Sequence, residues 1–263
     1  MIDLTALHIE GWQPFSIEVR CNTSGDITRE NVESSLKRGL PAVTWQAPTG
    51  VPALLVGGGP SLLQTLPTIK LGQTHGPIFA LNGSAHFLNE HGIVPSYQVI
   101  LDAREKNVDL LGEAVIYLVA SQCHPKVFDA LEGKRVRVFH LGNCEGLVPP
   151  EQIIGGCHTV GLTAMNIAHV LGYRELHLFG YDSSYSDGMH AYPQELSAKE
   201  NAFIEVMVED SEGVFKTFVT NAVMAEQARM FPNVAEVLAE DGSQIIVHGE
   251  GLLPTKAKAM RRV

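Results

Sequence analysis

The chain has 263 residues, 45% apolar and 18% charged, which fits a compact globular enzyme with a sizeable core rather than a disordered chain. Its formal net charge of −10 disfavours nucleic acid and anionic membrane surfaces as partners, because like charges repel. No stretch is long and apolar enough to span a bilayer, MIDLTALHIEGW lacks the basic start of a signal peptide, and the four cysteines form no CxxC pair. Together these read as a reducing, cytoplasmic setting. The pairs Cys123-His124 and Cys157-His158 match no zinc spacing.

Residues 1–50 read as an N-terminal extension packed on the main domain. Within it, ITRENVESSLKRGLP predicts an amphipathic helix stopping at Pro41. From Val51 the texture becomes regular. ALLV, PIFALN (77–82), YQVILDA (97–103), AVIYLVA (114–120), RVRVFHL (135–141) and ELHLFGYD (175–182) are apolar runs of the kind found in strands buried on both faces. Helical patterns at 84–90, 124–131 and 159–171 fall between them. Strand and helix in alternation predict a Rossmann-like, doubly wound α/β core over 51–192 with a mostly parallel sheet. Residues 193–263 are expected to complete the same domain. AFIEVMVEDSEGVFKTFVTN reads as a hairpin around Ser211-Glu212-Gly213, AVMAEQARMF as a helix, and SQIIVHG as a last strand.

In such a sheet, ligands bind beyond the carboxyl ends of the strands. The first strand runs straight into Gly57-Gly58-Gly59-Pro60-Ser61. Proline suits the first helical position, so a helix is expected to begin near Pro60 with its amides facing back to the glycines. That is either an anion site, with phosphate the usual occupant, or a tight turn. It is neither GxxxxGK[ST] nor GxGxxG, and the second strand ends in Asn82 rather than an acid, which argues against a dinucleotide dehydrogenase.

The other strand ends add polar groups. Asn82 can bond a base, ribose or phosphate, or cap the next helix. Asp102 is a candidate magnesium ligand, with a salt bridge to Arg104 or Lys106 as the alternative. His124 can contact a ligand or cap the helix starting at Pro125. Gly155-Gly156 leads into a helix beginning near Thr159, a second glycine-to-helix corner. Asp182, with Ser183, Ser184, Tyr185, Asp187 and His190, follows the sixth strand; His190 has the titration range of a general base, and Asp182 can orient a group or bind metal.

LLVGGGPSL, ALNGSAHFLNEHGIVPSYQVILDAR, SQCHP and GGCHTVGLTAMNIAHVLGYRELHLFGYDSSY, in that order, resemble the 6-hydroxymethylpterin diphosphokinase MptE-like family. That family shares its domain with flagellin glycosyltransferases known as motility-associated factors and is distantly similar to bacterial sialyltransferases. The resemblance runs from about Val51 to Gly249. It implies a transferase that uses ATP with Mg²⁺, or a nucleotide sugar, as co-substrate. Gly57, Gly58, Gly59 and Ser61 would then hold nucleotide phosphates, Asn82 and Asp102 would face the nucleotide or the metal, with Asp102 the metal ligand, and Asp182 and His190 would lie near the transfer site; Gly156 and Thr159, at the second glycine-to-helix corner, are read from the residues themselves as a second anion or sugar site. Diphosphoryl transfer to a small hydroxymethyl acceptor such as a pterin is the first expectation. Glycosyl transfer is the alternative, and a non-catalytic nucleotide-binding module the third. The expected partner is a small molecule or nucleotide, with self-association left open.

Overall fold

The computed structural model describes residues 23–157, 159–192 and 202–260. The first 22 residues of the expected extension, His158 and residues 193–201 lie outside them.

Seven strands make one parallel sheet: β1 (Ala53–Val56), β2 (Ile78–Leu81), β3 (Tyr97–Ile100), β4 (Ile116–Ala120), β5 (Val136–Phe139), β6 (Glu175–Phe179) and a late strand, β9 (Gln244–Val247). Their order is β5-β4-β3-β2-β1-β6-β9, every pairing parallel. The chain therefore winds outward from β1 to β5, returns, and resumes on the other side of β1 with β6. A reversal of this kind opens a crevice at the carboxyl ends of the strands beside β1. The remaining two strands, β7 (Phe203–Glu209) and β8 (Phe215–Asn221), form the expected antiparallel hairpin apart from the sheet.

Both faces of the sheet are covered, which is why its strands read as unbroken apolar runs. Leu54 and Val56 face a core shared with α2 (Leu62–Gly72) and α3 (Ser84–Glu90). Ala53 and Leu55 face a larger one shared with α5 (Val160–Val170), α6 (Ala222–Glu240) and α7 (Leu252–Met260). Alternate residues of one strand thus serve opposite layers. The remaining helices are α1 (Gly25–Leu36) and α4 (Pro125–Ala130).

Four points differ from the sequence reading. α2 begins at Leu62, two residues beyond Pro60, because Gly57 to Ser61 remain a turn bonded to the end of β6. α6 does not stop at Phe231 but continues through Pro232 to Glu240. Proline forfeits one backbone bond there, and burial of Ala225, Ala228, Phe231 and Leu238 on both sides of it holds the helix together. A further helix, α7, follows the last strand; its buried face is Leu252, Leu253, Pro254 and Ala257. The described part of the N-terminal segment does more than pack on the main domain: it adds a short bridge to the β5 edge of the sheet. Val43 N donates to Val138 O (2.7 Å) and Val138 N to Pro41 O (2.9 Å), which covers the β5 edge, and Asn31 Nδ2 donates to the carbonyls of Ala103 and Gln122 (3.2 and 3.0 Å).

Candidate active site

A cleft of about 1520 Å³ runs along the carboxyl edge of the sheet, from the loop after β5 to the segment after β6. One small-ligand pocket usually occupies roughly 300–1,000 Å³, so there is room for two reactants. The strand ends form its floor, α6 one wall, and the start of α1 part of its rim.

The glycine corner lies at the reversal point, and its glycines have a specific cause. Gly57 N donates to Phe179 O (2.8 Å) and Gly59 N to Gly180 O (2.9 Å), so the corner is stitched to the end of β6. A Cβ on Gly57 would sit 2.5 Å from Gly180 O, and one on Gly59 would overlap Asp182 Oδ2. Only glycine permits that approach.

The anion position at the start of α2 is filled from within. Asp182 is buried behind the corner, and its Oδ2 accepts the Ser61 amide (3.2 Å). Its own carbonyl accepts Leu253 N (3.1 Å), which ties in α7. Burial pushes the Asp182 carboxyl up to about 6, against hydrogen bonding from Ser61 that favours the charged form. Asp182, expected beside the transfer site, is therefore a structural anchor that does not line the cleft. Ser61, expected on phosphate, is likewise buried, with its amide already engaged. Gly57, Gly58 and Gly59 do line the cleft, with two of their three amides committed to β6.

Asn82 stands at the cleft with φ +50°, the left-handed region that asparagine tolerates better than most residues. Its buried Oδ1 has no hydrogen-bond partner among the described residues. Asp102 also lines the cleft, but both its oxygens accept from the Arg104 guanidinium (Nε at 3.0 and 2.8 Å, with Nη2 on Oδ2), and Oδ1 also takes the Arg104 amide (2.9 Å). Among the described residues no three His, Cys, Asp or Glu side chains converge as metal ligands. This donor set does not fit a protein-held Mg²⁺: the carboxylate expected to hold it is ion-paired, and the second one, Asp182, is behind the corner.

The second glycine corner is different. Gly156, Thr159, Val160 and Gly161 all line the cleft where α5 begins. Thr159 caps the helix, its side chain accepting from Leu162 N (3.4 Å), and the helix presents its first turn to the space. Tyr181 fixes that turn by donating to Gly161 O (3.0 Å).

His190 is half-buried at the cleft, its ring 5.0 Å from that of Tyr185, and burial moves its pKa below the ordinary imidazole value. It is thus neutral and ready to accept a proton at neutral pH. His124, in contrast, caps α4 by accepting Lys126 N (3.3 Å).

Several lining residues escape the sequence reading. Gln122 and Asn143 follow β4 and β5 and bond to each other (2.9 Å); the rule that strand ends bear ligands is enough to find them. Val223, Met224, Gln227 and Met230 repeat at helical spacing on α6, a pattern that signals a buried face but not what it faces. Thr28 and Arg29 on the rim give no sequence signal.

A doubly wound parallel α/β sheet with a polar cleft at its reversal point defines the class: a Rossmann-like α/β protein with a candidate ligand site at that point. A model of the 6-hydroxymethylpterin diphosphokinase MptE-like family matches residues 28–188, more than half the chain, and the protein belongs to that family. The match begins inside α1, so part of what the sequence suggested was an extension is family sequence. The MAf glycosyltransferase from Magnetospirillum magneticum AMB-1 shares the fold, with a TM-score of 0.69, 18% identity and 93% of this chain covered. The alignment takes in 42% of that protein, so the present chain spans about two fifths of its length. A mammalian sialyltransferase aligns at a TM-score of 0.42 and 12% identity over 89% of this chain and 81% of its own, too slight a likeness to build on. No curated protein matches the sequence. Among the described residues no helix is long and apolar enough to cross a membrane.

Proposed function

We propose that the protein transfers a group from a nucleotide-activated donor to an acceptor hydroxyl, with glycosyl transfer from a nucleotide sugar as the specific reaction. The observation that carries this is His190, a half-buried imidazole kept neutral by burial, in a cleft large enough for two reactants at the reversal point of the sheet. The donor phosphate belongs at the start of α5, where Val160 and Gly161 meet the cleft; the α2 counterpart is already answered by Asp182. His190 takes the acceptor proton, the acceptor oxygen attacks the anomeric carbon, and the bond from that carbon to the nucleotide phosphate breaks. Lys106, which also lines the cleft, can supply positive charge to the leaving group in a chain whose formal net charge is −10.

Diphosphoryl transfer from ATP is the second reading, favoured by the name of the family. The ion-paired Asp102 argues for glycosyl transfer over it, since ATP chemistry relies on Mg²⁺ held by one or two carboxylates as well as the phosphates. Incubation with ATP or with CMP-, UDP- and GDP-sugars separates them by product: AMP from ATP for the second, free nucleotide from one sugar donor for the first. Binding is read beforehand by thermal unfolding. A ligand at about 100 times its dissociation constant adds roughly 2.7 kcal/mol, a rise of about 5 °C or more in a chain of this size. No rise with any nucleotide would end both readings.

A further inference from the structure

One polar group of the cleft has no part in the chemistry above. Ser183 lies four residues beyond β6, is 5% exposed, and lines the cleft. Its φ is +53°, in the left-handed region that serine rarely enters. Two bonds hold it there: Thr220 Oγ1 donates to its carbonyl (2.7 Å), and Gln227 Nε2 donates to its Oγ (2.9 Å). Because the Oγ lone pair takes the amide proton, the hydroxyl proton points elsewhere, and among the described residues it donates to no acceptor. Asn82, beyond β2 on the other side of β1, has the same backbone handedness and an unpartnered buried oxygen. Strained residues of this kind persist where neighbours over-determine them, and they gather at ligand clamps.

We propose that Ser183 is a ligand-binding residue whose hydroxyl, aimed by Gln227, donates a hydrogen bond to a phosphate oxygen of the bound nucleotide. This rests on the nucleotide-site reading above and adds a residue and an atom to it. A phosphate oxygen suits the geometry because it only accepts, and the Ser183 proton is the one left to give.

The test measures dissociation constants by calorimetry on the full chain, for AMP, CMP, UMP and GMP and for the four corresponding nucleosides. Ser183→Gly removes the hydroxyl and with it the Gln227 bond, but relieves the left-handed strain, so its unfolding midpoint should stay within a few degrees of the parent's. The tightest nucleotide should bind tenfold or more weakly, and its nucleoside within twofold of the parent. Gln227→Glu keeps Ser183 but replaces the amide donor by a carboxylate that draws the hydroxyl proton to itself; it should lose nucleotide affinity in the same selective way. Unchanged nucleotide affinity in Ser183→Gly overturns the proposal while leaving the nucleotide site standing, and so does an equal loss for nucleoside and nucleotide. If the parent binds none of the four nucleotides, the site reading itself fails and the proposal goes with it.

Discussion

Asp182→Asn should make the protein more stable at neutral pH, although it replaces a buried and hydrogen-bonded side chain. The carboxyl has a pKa of about 6 in the fold, raised by burial and by the charge of Glu250, against 3.8 for the ordinary group. Between those values the folded chain binds the proton more tightly than the unfolded one, so the contribution of Asp182 is fully favourable below pH 3.8 and is lost as pH rises through 6. The gap is about two pKa units, and at roughly 1.4 kcal/mol each the charged form costs about 3 kcal/mol at pH 7.5. Asparagine keeps an oxygen for the Ser61 amide and carries no charge, so about 3 kcal/mol is the upper limit of the gain. In a chain of this size that is about 5–10 °C in midpoint. Urea unfolding of parent and variant from pH 4 to 8 isolates the effect, since the other carboxylates cancel in the difference. The variant's advantage should be near zero at pH 4, grow between 4 and 6.5, and level off. A difference that is flat, or that favours the parent more as pH rises, would refute the view of Asp182 as a carboxylate held against its own burial.

Gly57→Ala should destabilise by about 1–3 kcal/mol in urea unfolding, because the new methyl meets a backbone carbonyl at 2.5 Å and neither element can yield cheaply. Gly58→Ala, whose nearest contacts lie at 3.2–3.3 Å, should lose less and serves as the internal control. His190→Gln should cut turnover roughly 10²–10⁴-fold with nucleotide affinity little changed. In the parent the rate should rise through a pKa below the usual imidazole value and be flat above it; a limb centred higher would place the base elsewhere. Asp102→Asn should leave the Mg²⁺ dependence of turnover unaltered, and loss of Mg²⁺-dependent turnover in that variant, or a large rise in the Mg²⁺ concentration it needs, would restore Asp102 as a metal ligand.

The layer order was legible in the sequence because a parallel sheet buries both faces of its strands, and ALLV or IYLVA leaves little else for those segments to be. The hairpin was legible from the turn at Ser211-Glu212-Gly213. What escaped depends on partners far along the chain. Nothing local announces that α6 survives Pro232, because the residues that hold it are buried by other elements. Nor does anything local announce that Asn31, on the first helix, reaches the carbonyls of Ala103 and Gln122, more than seventy residues away. The site was legible as a set of strand ends but not as a division of labour among them. Gly156, Thr159, Asn82 and His190 reach the cleft, whereas Asp182 and Ser61 are turned into the fold.

The two glycine-to-helix corners show why that division was hidden. Each has glycines before a helix, and each therefore offers amides to an anion. At the first, the anion is already part of the protein: Asp182 bonds the Ser61 amide, and the glycines let β6 approach closely enough for it to do so. At the second, Tyr181 braces the first turn of α5 from the side, and Gly156 and Gly161 remain at the cleft. The residue pair Tyr181-Asp182 thus serves both corners at once, one side chain closing the first and the other supporting the second. Of the two helix starts, only that of α5 is left for the phosphate of the proposed donor. On that reading, Asp182, three residues beyond β6, directs the nucleotide away from the glycine triplet and toward the first turn of α5, in the cleft that Ser183 also lines with a proton to give.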